Sequence, residues 1–265
     1  MNIFIRELRA HRRSLIIWSL SLLALIVLSM NKFSAYSGSG QSMNEIVGKM
    51  PKSVQSLMGL GGFDLTTASG YYGVIFFYIL ILAAVHAVML GAGIISKEER
   101  DKTSEFLFTK PTSRTQVITA KLWAALFNVF VLNIVSLLSS IAAVAAYTSG
   151  ENFVGSIVKL DLGLLIVQAI FMYLGTGVAA ISRRPRTAVS VASGILMAAF
   201  LADRIIDMSS SLEFLKYFTP FRYYEASKLM AGKSFDPVSL LLSAVLIAGL
   251  GYVTFRFYQK RDLRV

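Results

Sequence analysis

The sequence contains no cysteine and only two histidines, His11 and His86. The first absence excludes thiolate metal ligands, cysteine nucleophiles and a disulfide framework. The histidines lie in different segments, so neither a two-histidine metal site nor a histidine-based triad is indicated. Proline is scarce, 5 in 265 residues, which sets aside fibrous and proline-rich disordered chains. Charge is the most telling shortage: Asp, Glu, Lys and Arg make up 15% of the chain against 55% hydrophobic residues, and mean hydropathy is +0.63. Soluble domains carry roughly 25% charged residues. The composition is that of an integral membrane protein.

Six stretches lack charge altogether: 14–30, 71–95, 123–147, 162–181, 187–202 and 238–255. A hydrocarbon core of ~30 Å is crossed by about 20 helical residues. Separate segments can span only as helices, because lipid offers the backbone no hydrogen-bond partner. The fifth stretch is short and is expected to run on to 206, placing Asp203 and Arg204 near the interface. The fold expected is therefore all-α, with six transmembrane helices (14–30, 71–95, 123–147, 162–181, 187–206 and 238–255) in a single domain spanning 1–265.

An even number of spans puts both termini on one side. If that side is the cytosol, its segments are 1–13, 96–122, 182–186 and 256–265. These hold 17 of the 26 basic residues and 6 of the 15 acidic ones, so the whole formal charge of +11 lies on one face. That is the positive-inside pattern, with both termini cytosolic. Because topology explains the basic excess, it implies membrane lipid at its flanks and no nucleic-acid partner.

The basic start of the chain followed by an apolar run imitates a signal peptide, but no small-residue cleavage site follows Met30, so it reads as a retained first span. Met1, Phe4, Ile5 and Leu8 share one helical face, opposite Arg6, Arg9 and Arg13. This is the pattern of a short helix lying in the interface, or equally of a plain basic anchor. The loop 31–70 opens polar around 37–40 and then turns amphipathic, with Pro51 dividing it into two short pieces. It is expected to pack on the outer ends of the spans. Before the last span, Asp236 and Pro237 form an N-cap and first-turn pair.

Gly232, Lys233 and Ser234 imitate the end of a phosphate-binding loop, but the glycine required five positions earlier is Ser227. Asn128, Asn133, Gln168 and His86 read as groups hydrogen-bonded between helices. Gly91 with Gly93, and Gly175 with Gly177, permit close helix contact. No paired carboxylates occupy the spans, so an ion-driven carrier lacks its usual residues. An intramembrane enzyme would lack its nucleophile and base.

The segment between the second and third expected spans is the most charged part of the chain. It reads EERDKTSEFLFTKPTSR over 98–114. Pro111 ends one helix, and Ser113 with Gln116 has the capping-box spacing that starts the next. Phe106, Leu107 and Phe108 have no core of their own to join and fit a soluble partner. This stretch resembles the signature loop of the type-two permease subunits of ATP-binding cassette transporters: an acidic pair, Gly-Thr, an acid, a leucine-containing turn, Pro-x-Ser-Arg, and a lysine opening the third span. Glu99, Thr103, Glu105, Leu107, Pro111, Ser113, Arg114 and Lys121 match; Lys102 departs from the usual glycine. MPKSVQSLMG at 50–59 and FTPFRYY at 218–224 are similar to outer segments of the same family.

The resemblance covers essentially the whole chain. It implies an exporter permease in a bacterial cytoplasmic membrane that pairs with a second permease (an identical chain or a paralogue) and docks on ATP-binding cassette ATPase subunits. The cytosolic loop then supplies a coupling helix, with Glu99, Arg100, Thr103, Glu105, Phe106, Leu107, Phe108, Pro111, Ser113, Arg114 and Lys121 as coupling residues. No cofactor is expected on this chain, since ATP and magnesium belong to the partner. The competing expectation is a non-transporting scaffold or sensor that uses the same loop to recruit an ATPase. The apolar spans, with scattered Ser, Thr and Asn, suit amphipathic cargo without choosing one.

Overall fold

A computed structural model describes residues 3–37, 43–101, 113–148, 153–182, 184–208 and 210–260. Among these residues there is no strand. The helices are α1 (Ile3–Ser37), α2 (Met43–Gly48), α3 (Lys52–Leu57), α4 (Ala68–Arg100), α5 (Arg114–Ala145), α6 (Val154–Ile181), α7 (Pro185–Met208), α8 (Ala226–Met230) and α9 (Pro237–Lys260). Two 3-10 segments, Ser210–Phe218 and Pro220–Arg222, lie between α7 and α8. Six of the helices, α1, α4, α5, α6, α7 and α9, are long and apolar enough to cross a bilayer.

Local chemistry sets several of the helix ends. Thr67 caps α4 by accepting from the Gly70 amide at 3.1 Å. Ser113 and Gln116 form the expected reciprocal capping box at the start of α5, each bond 3.2 Å long. Asp236 accepts from the Ser239 amide at 3.2 Å and its hydroxyl at 2.9 Å, opening α9. The hydrogen bond from Ser239 also holds the Asp236 carboxyl below its ordinary pKa. Pro51 separates α2 from α3, as its fixed φ and missing N–H require.

The helices outrun the charge-free stretches. At ~1.5 Å per residue, α1 is about 52 Å long, well beyond a ~30 Å core. Its first residues continue the span as one helix, which corrects the expectation of a separate interfacial piece. Nothing between Arg13 and Ser14 breaks the helix, and Glu7 is fastened to Lys97 of α4, which holds the segment alongside its neighbour. Similarly, α6 begins eight residues before its charge-free run, carrying Lys159 and Asp161 inside the helix.

The helices α4 and α6 form the centre. Buried residues line most of both, whereas α1, α5 and α9 keep broad apolar faces outward, with Ile17, Leu20, Phe130, Leu138, Leu241 and Val245 exposed. Such faces are stable against lipid and not against water. At the centre, Gly91 and Gly175 let the backbones meet. A Cβ on Gly91 would lie 2.1 Å from the Met172 carbonyl oxygen, and one on Gly175 would lie 2.3 Å from that of Val88. Gly93, by contrast, faces open space.

Ion pairs fix the direction of the helices. The start of α1 and the start of α5 meet the end of α4 through Glu7–Lys97 and Glu98–Lys121, and the end of α9 reaches α5 where Gln259 meets Arg114. The start of α1 and the end of α9 therefore lie at one end of the bundle, here the terminal end; α2, α3, the 3-10 segments and α8 cover the far end. Gly91→Val should force α4 and α6 apart at a cost of about 1–3 kcal/mol or more, whereas Gly93→Ala should leave the unfolding midpoint in mild detergent unchanged. Equal midpoints for the two variants would show that the backbones do not meet at Gly91.

Candidate functional site

The terminal end carries a buried ionic cluster built from three helices. Lys121 of α5 is fully buried; its Nζ donates to Glu98 Oε2 and to the Ile94 carbonyl, each at 2.5 Å, both on α4. Arg6 of α1 bonds Glu98 Oε1 and Glu7 Oε1 at 3.3 Å, and Lys97 of α4 donates to Glu7 Oε2. Glu7 itself is fully buried. Two carboxylates and three cations thus satisfy one another and tie α1, α4 and α5 together. Buried charge is tolerable only when paired in this way.

This cluster stands on both sides of residues 102–112. Thr103, Glu105, Phe106, Leu107, Phe108 and Pro111, with the expected coupling helix, lie outside the described residues. Their flanks are described. Glu99 and Arg100 close α4, where Arg100 Nε donates to Asp101 at 3.0 Å. Ser113 caps α5. Arg114 turns to α9, its Nη1 donating to the Gln259 carbonyl at 3.0 Å, while Gln259 Nε2 donates to Thr115 at 3.2 Å. A guanidinium at the last carbonyls of a helix satisfies groups that have no intrahelical partner. Of the sequence-derived coupling residues, then, Lys121 is interior, Arg114 joins α5 to α9, and Glu99, Arg100 and Ser113 frame the loop.

Within the bundle, Asn133 of α5 donates to Gln168 Oε1 and to the Asp161 carbonyl, both at 3.2 Å, giving the interhelical bond expected of Asn133 and Gln168. Asn128 instead donates to Ala124 of its own helix at 2.7 Å. His86 packs edge-on against Trp18, ring centroids 5.4 Å apart, and its Nδ1 has no hydrogen-bond partner. Asp161, which no motif had singled out, is buried beside Ser136. Its only sequence signal is its position at the border of a charge-free stretch.

A family model described as "ABC-2 family transporter protein" matches residues 1–263. The chain belongs to the ABC-2 transporter family. No curated protein matches it. As a member of this family it is a multi-pass membrane protein and the permease component of an ATP-binding cassette transporter, a role that is not itself catalytic. The resemblance read from the 98–114 loop thus agrees with a match that runs over nearly the full length.

Within an ABC-2 permease, the ionic cluster is the best-defined charged feature next to the loop. Lys121→Met leaves Glu98 buried without its main partner, so a loss of about 3–5 kcal/mol is expected, read as a lowered unfolding midpoint in detergent. Adding Glu98→Gln should recover much of that loss, because the stranded charge goes with it. A double variant no more stable than Lys121→Met would show that the pair is not what holds α4 to α5.

Proposed function

We propose that this chain is the permease subunit of an ATP-binding cassette exporter, forming half of the translocation path and coupling to a separate ATPase. The observation that supports the reading, beyond family membership, is how the residues flanking 102–112 are fastened together. In sequence these residues join α4 to α5, and the facing ends of the two helices are fastened to each other and to α1 by Lys121, Glu98, Glu7, Lys97 and Arg6. A displacement of the loop is thereby delivered to three spans rather than absorbed in a hinge. Arg114 extends the same linkage to α9.

In this reading the terminal end faces the cytosol, as the distribution of basic residues supports. Glu99, Arg100, Thr103, Glu105, Phe106, Leu107, Phe108, Pro111, Ser113 and Arg114 form or frame the docking element, and Lys121 acts from inside by holding the frame. A small apolar cluster in a charged surround suits a compact docking contact. ATP and magnesium are bound and hydrolysed by the partner. A second permease, identical or paralogous, covers part of the exposed apolar surface and lipid covers the rest. Residues 1–265 act as one permease domain in a bacterial cytoplasmic membrane.

The test is purification of the chain from its native membranes in mild detergent, followed by reconstitution into vesicles. A stoichiometric soluble subunit with a phosphate-binding loop is expected to co-purify. Phe106→Asp should weaken its retention by at least about tenfold, equivalent to ~1.4 kcal/mol, and both Phe106→Asp and Arg114→Glu should abolish ATP-driven transport while membrane insertion is unchanged. Normal transport by both variants would overturn the coupling role. An ATPase that binds without ATP-dependent movement of any cargo would leave the recruiting scaffold as the better reading.

A further inference from the structure

The far end holds two cavities that neither family membership nor the coupling reading uses. One, the far cavity of ≈ 110 Å³, lies between α4 and α7 and is bordered by Phe76 and Phe77. Its charged groups Asp203, Arg204 and Asp207 are tied to one another and to Ser56. The other is larger, ≈ 350 Å³, and lies between the end of the first 3-10 segment, α8 and the first turn of α9. One ordered water takes up only ~10–15 Å³ by this kind of measure, so this space admits a ligand group.

Four cations converge on the larger cavity from different pieces of chain: Lys216, Arg222, Lys228 and Lys233. Beyond the terminal face the sequence holds the remaining 9 basic and 9 acidic residues. Four of those bases line this one wall, against two of the acids, Glu225 and Asp236. Both carboxylates are already engaged. Glu225 meets Arg222 at 3.2 Å and Lys228 at 3.0 Å, and Asp236 accepts from the Ser239 amide and hydroxyl. Lys216 lies 5.3 Å from the Tyr217 ring centroid, and Lys233 enters no ion pair among the described residues.

Lys233 comes from the Gly232-Lys233-Ser234 triplet, which lacks the earlier glycine of a nucleotide-binding loop. The triplet does other work here. Gly232, at φ +84°, closes α8 with its amide 3.1 Å from the Leu229 carbonyl, and the chain then turns Lys233 and Ser234 into the wall. A wall rich in cations, with its carboxylates engaged elsewhere, favours an anion.

The surroundings say which anion. Tyr217 and Val238 share the wall and are exposed, and Val238 opens the outward apolar face of α9 that continues through Leu241 and Val245. Such a face is stable against acyl chains. The cavity therefore sits where the lipid-covered surface of α9 begins, which is the level of phospholipid headgroups, and lysine side chains reach charged headgroups while their stems stay on apolar surface. We propose that this cavity holds the phosphodiester of a membrane phospholipid, with Lys216, Lys228 and Lys233 around the phosphate and the acyl chains along α9. The site lies at the opposite end of the bundle from the residues flanking 102–112, so it stands apart from ATPase coupling.

The test uses the full chain in a non-ionic detergent after delipidation. Because the sequence contains no cysteine, Ala231→Cys carrying an environment-sensitive fluorophore reports on this end alone and not on the basic terminal face. Titration with dioleoylphosphatidylglycerol should give a saturable response, with an affinity roughly tenfold or more above that for dioleoylglycerol, which has the same chains and no phosphate. Lys233→Glu should remove most of that advantage, whereas Lys49→Glu, at an exposed position of the same end outside the wall, should keep it. Dimethyl phosphate, a phosphodiester without chains, should give no response at the same concentrations. Equal affinity for the two lipids, or equal effects of the two lysine variants, would overturn the proposal. A response to dimethyl phosphate matching that to the lipid would overturn the lipid assignment and identify a site for soluble phosphodiesters. Should Lys233→Glu fail to fold, the preference of the otherwise unaltered chain between the two lipids decides.

Discussion

The bundle is organised around the close approach of α4 and α6 at Gly91 and Gly175. Between helices in lipid there is little hydrophobic force, since a leucine gains nothing by leaving acyl chains for another leucine. What remains is contact density, and two glycines, Gly91 against the Met172 carbonyl and Gly175 against that of Val88, bring the backbones close enough to supply it. Because α4 and α6 occupy one another and the interior, the remaining spans can pack on this pair with one face while keeping the other for lipid or a second subunit. Thr176 and Thr254 show the same economy at the next layer, their hydroxyls 2.9 Å apart where α9 joins α6.

Polar groups then define what the apolar packing leaves open. Leu and Ile faces alone would allow α1 and α5 to slide or rotate against α4. Lys121 cannot slide, because withdrawing it from Glu98 and the Ile94 carbonyl strands charges on both sides. The same holds for Glu7 beneath Lys97. Directional, mutually satisfied contacts therefore set register at the terminal end, and Arg204 with Asp203, Asp207 and Ser56 sets it at the far end. Between them the packing is mostly apolar, with polar pairs such as Asn133 with Gln168, Thr176 with Thr254 and Asp161 beside Ser136 set into it.

Much of this was legible in the sequence, and the misses have a common cause. Six charge-free runs, a capping box at Ser113, an Asp236–Pro237 start and a break at Pro51 are local signals, and the helices obey them. What a one-dimensional pattern does not encode is which neighbour a polar side chain meets. Asp161 sits at the edge of a charge-free run and reads as a loop residue, yet a helix that begins at Val154 carries it indoors. Lys121 reads as the exposed start of a span, yet α4 projects just as far and covers it. The amphipathic N-terminus has the pattern of a surface helix, yet Arg6 and Glu7 turn to Glu98 and Lys97 while Arg9 and Arg13 stay exposed. His86 finds Trp18 rather than a hydrogen-bond acceptor. In each case the sequence states the chemistry of a group, and its partner comes from a segment far along the chain.

The helix α4 links all of these features. One continuous stretch, Ala68–Arg100, borders the far cavity through Phe76 and Phe77, meets α6 at Gly91, and ends in Lys97 and Glu98 inside the ionic cluster. Its middle is fixed by backbone contact that tolerates no added atom, its last turns by the ion pairs of Lys97 and Glu98, and its outer part by Phe77 against the Arg204 guanidinium. Residues 102–112 follow that helix in the chain, so in the proposed reading the residues that receive a partner's motion and the residues that line the far cavity lie on one continuous helix.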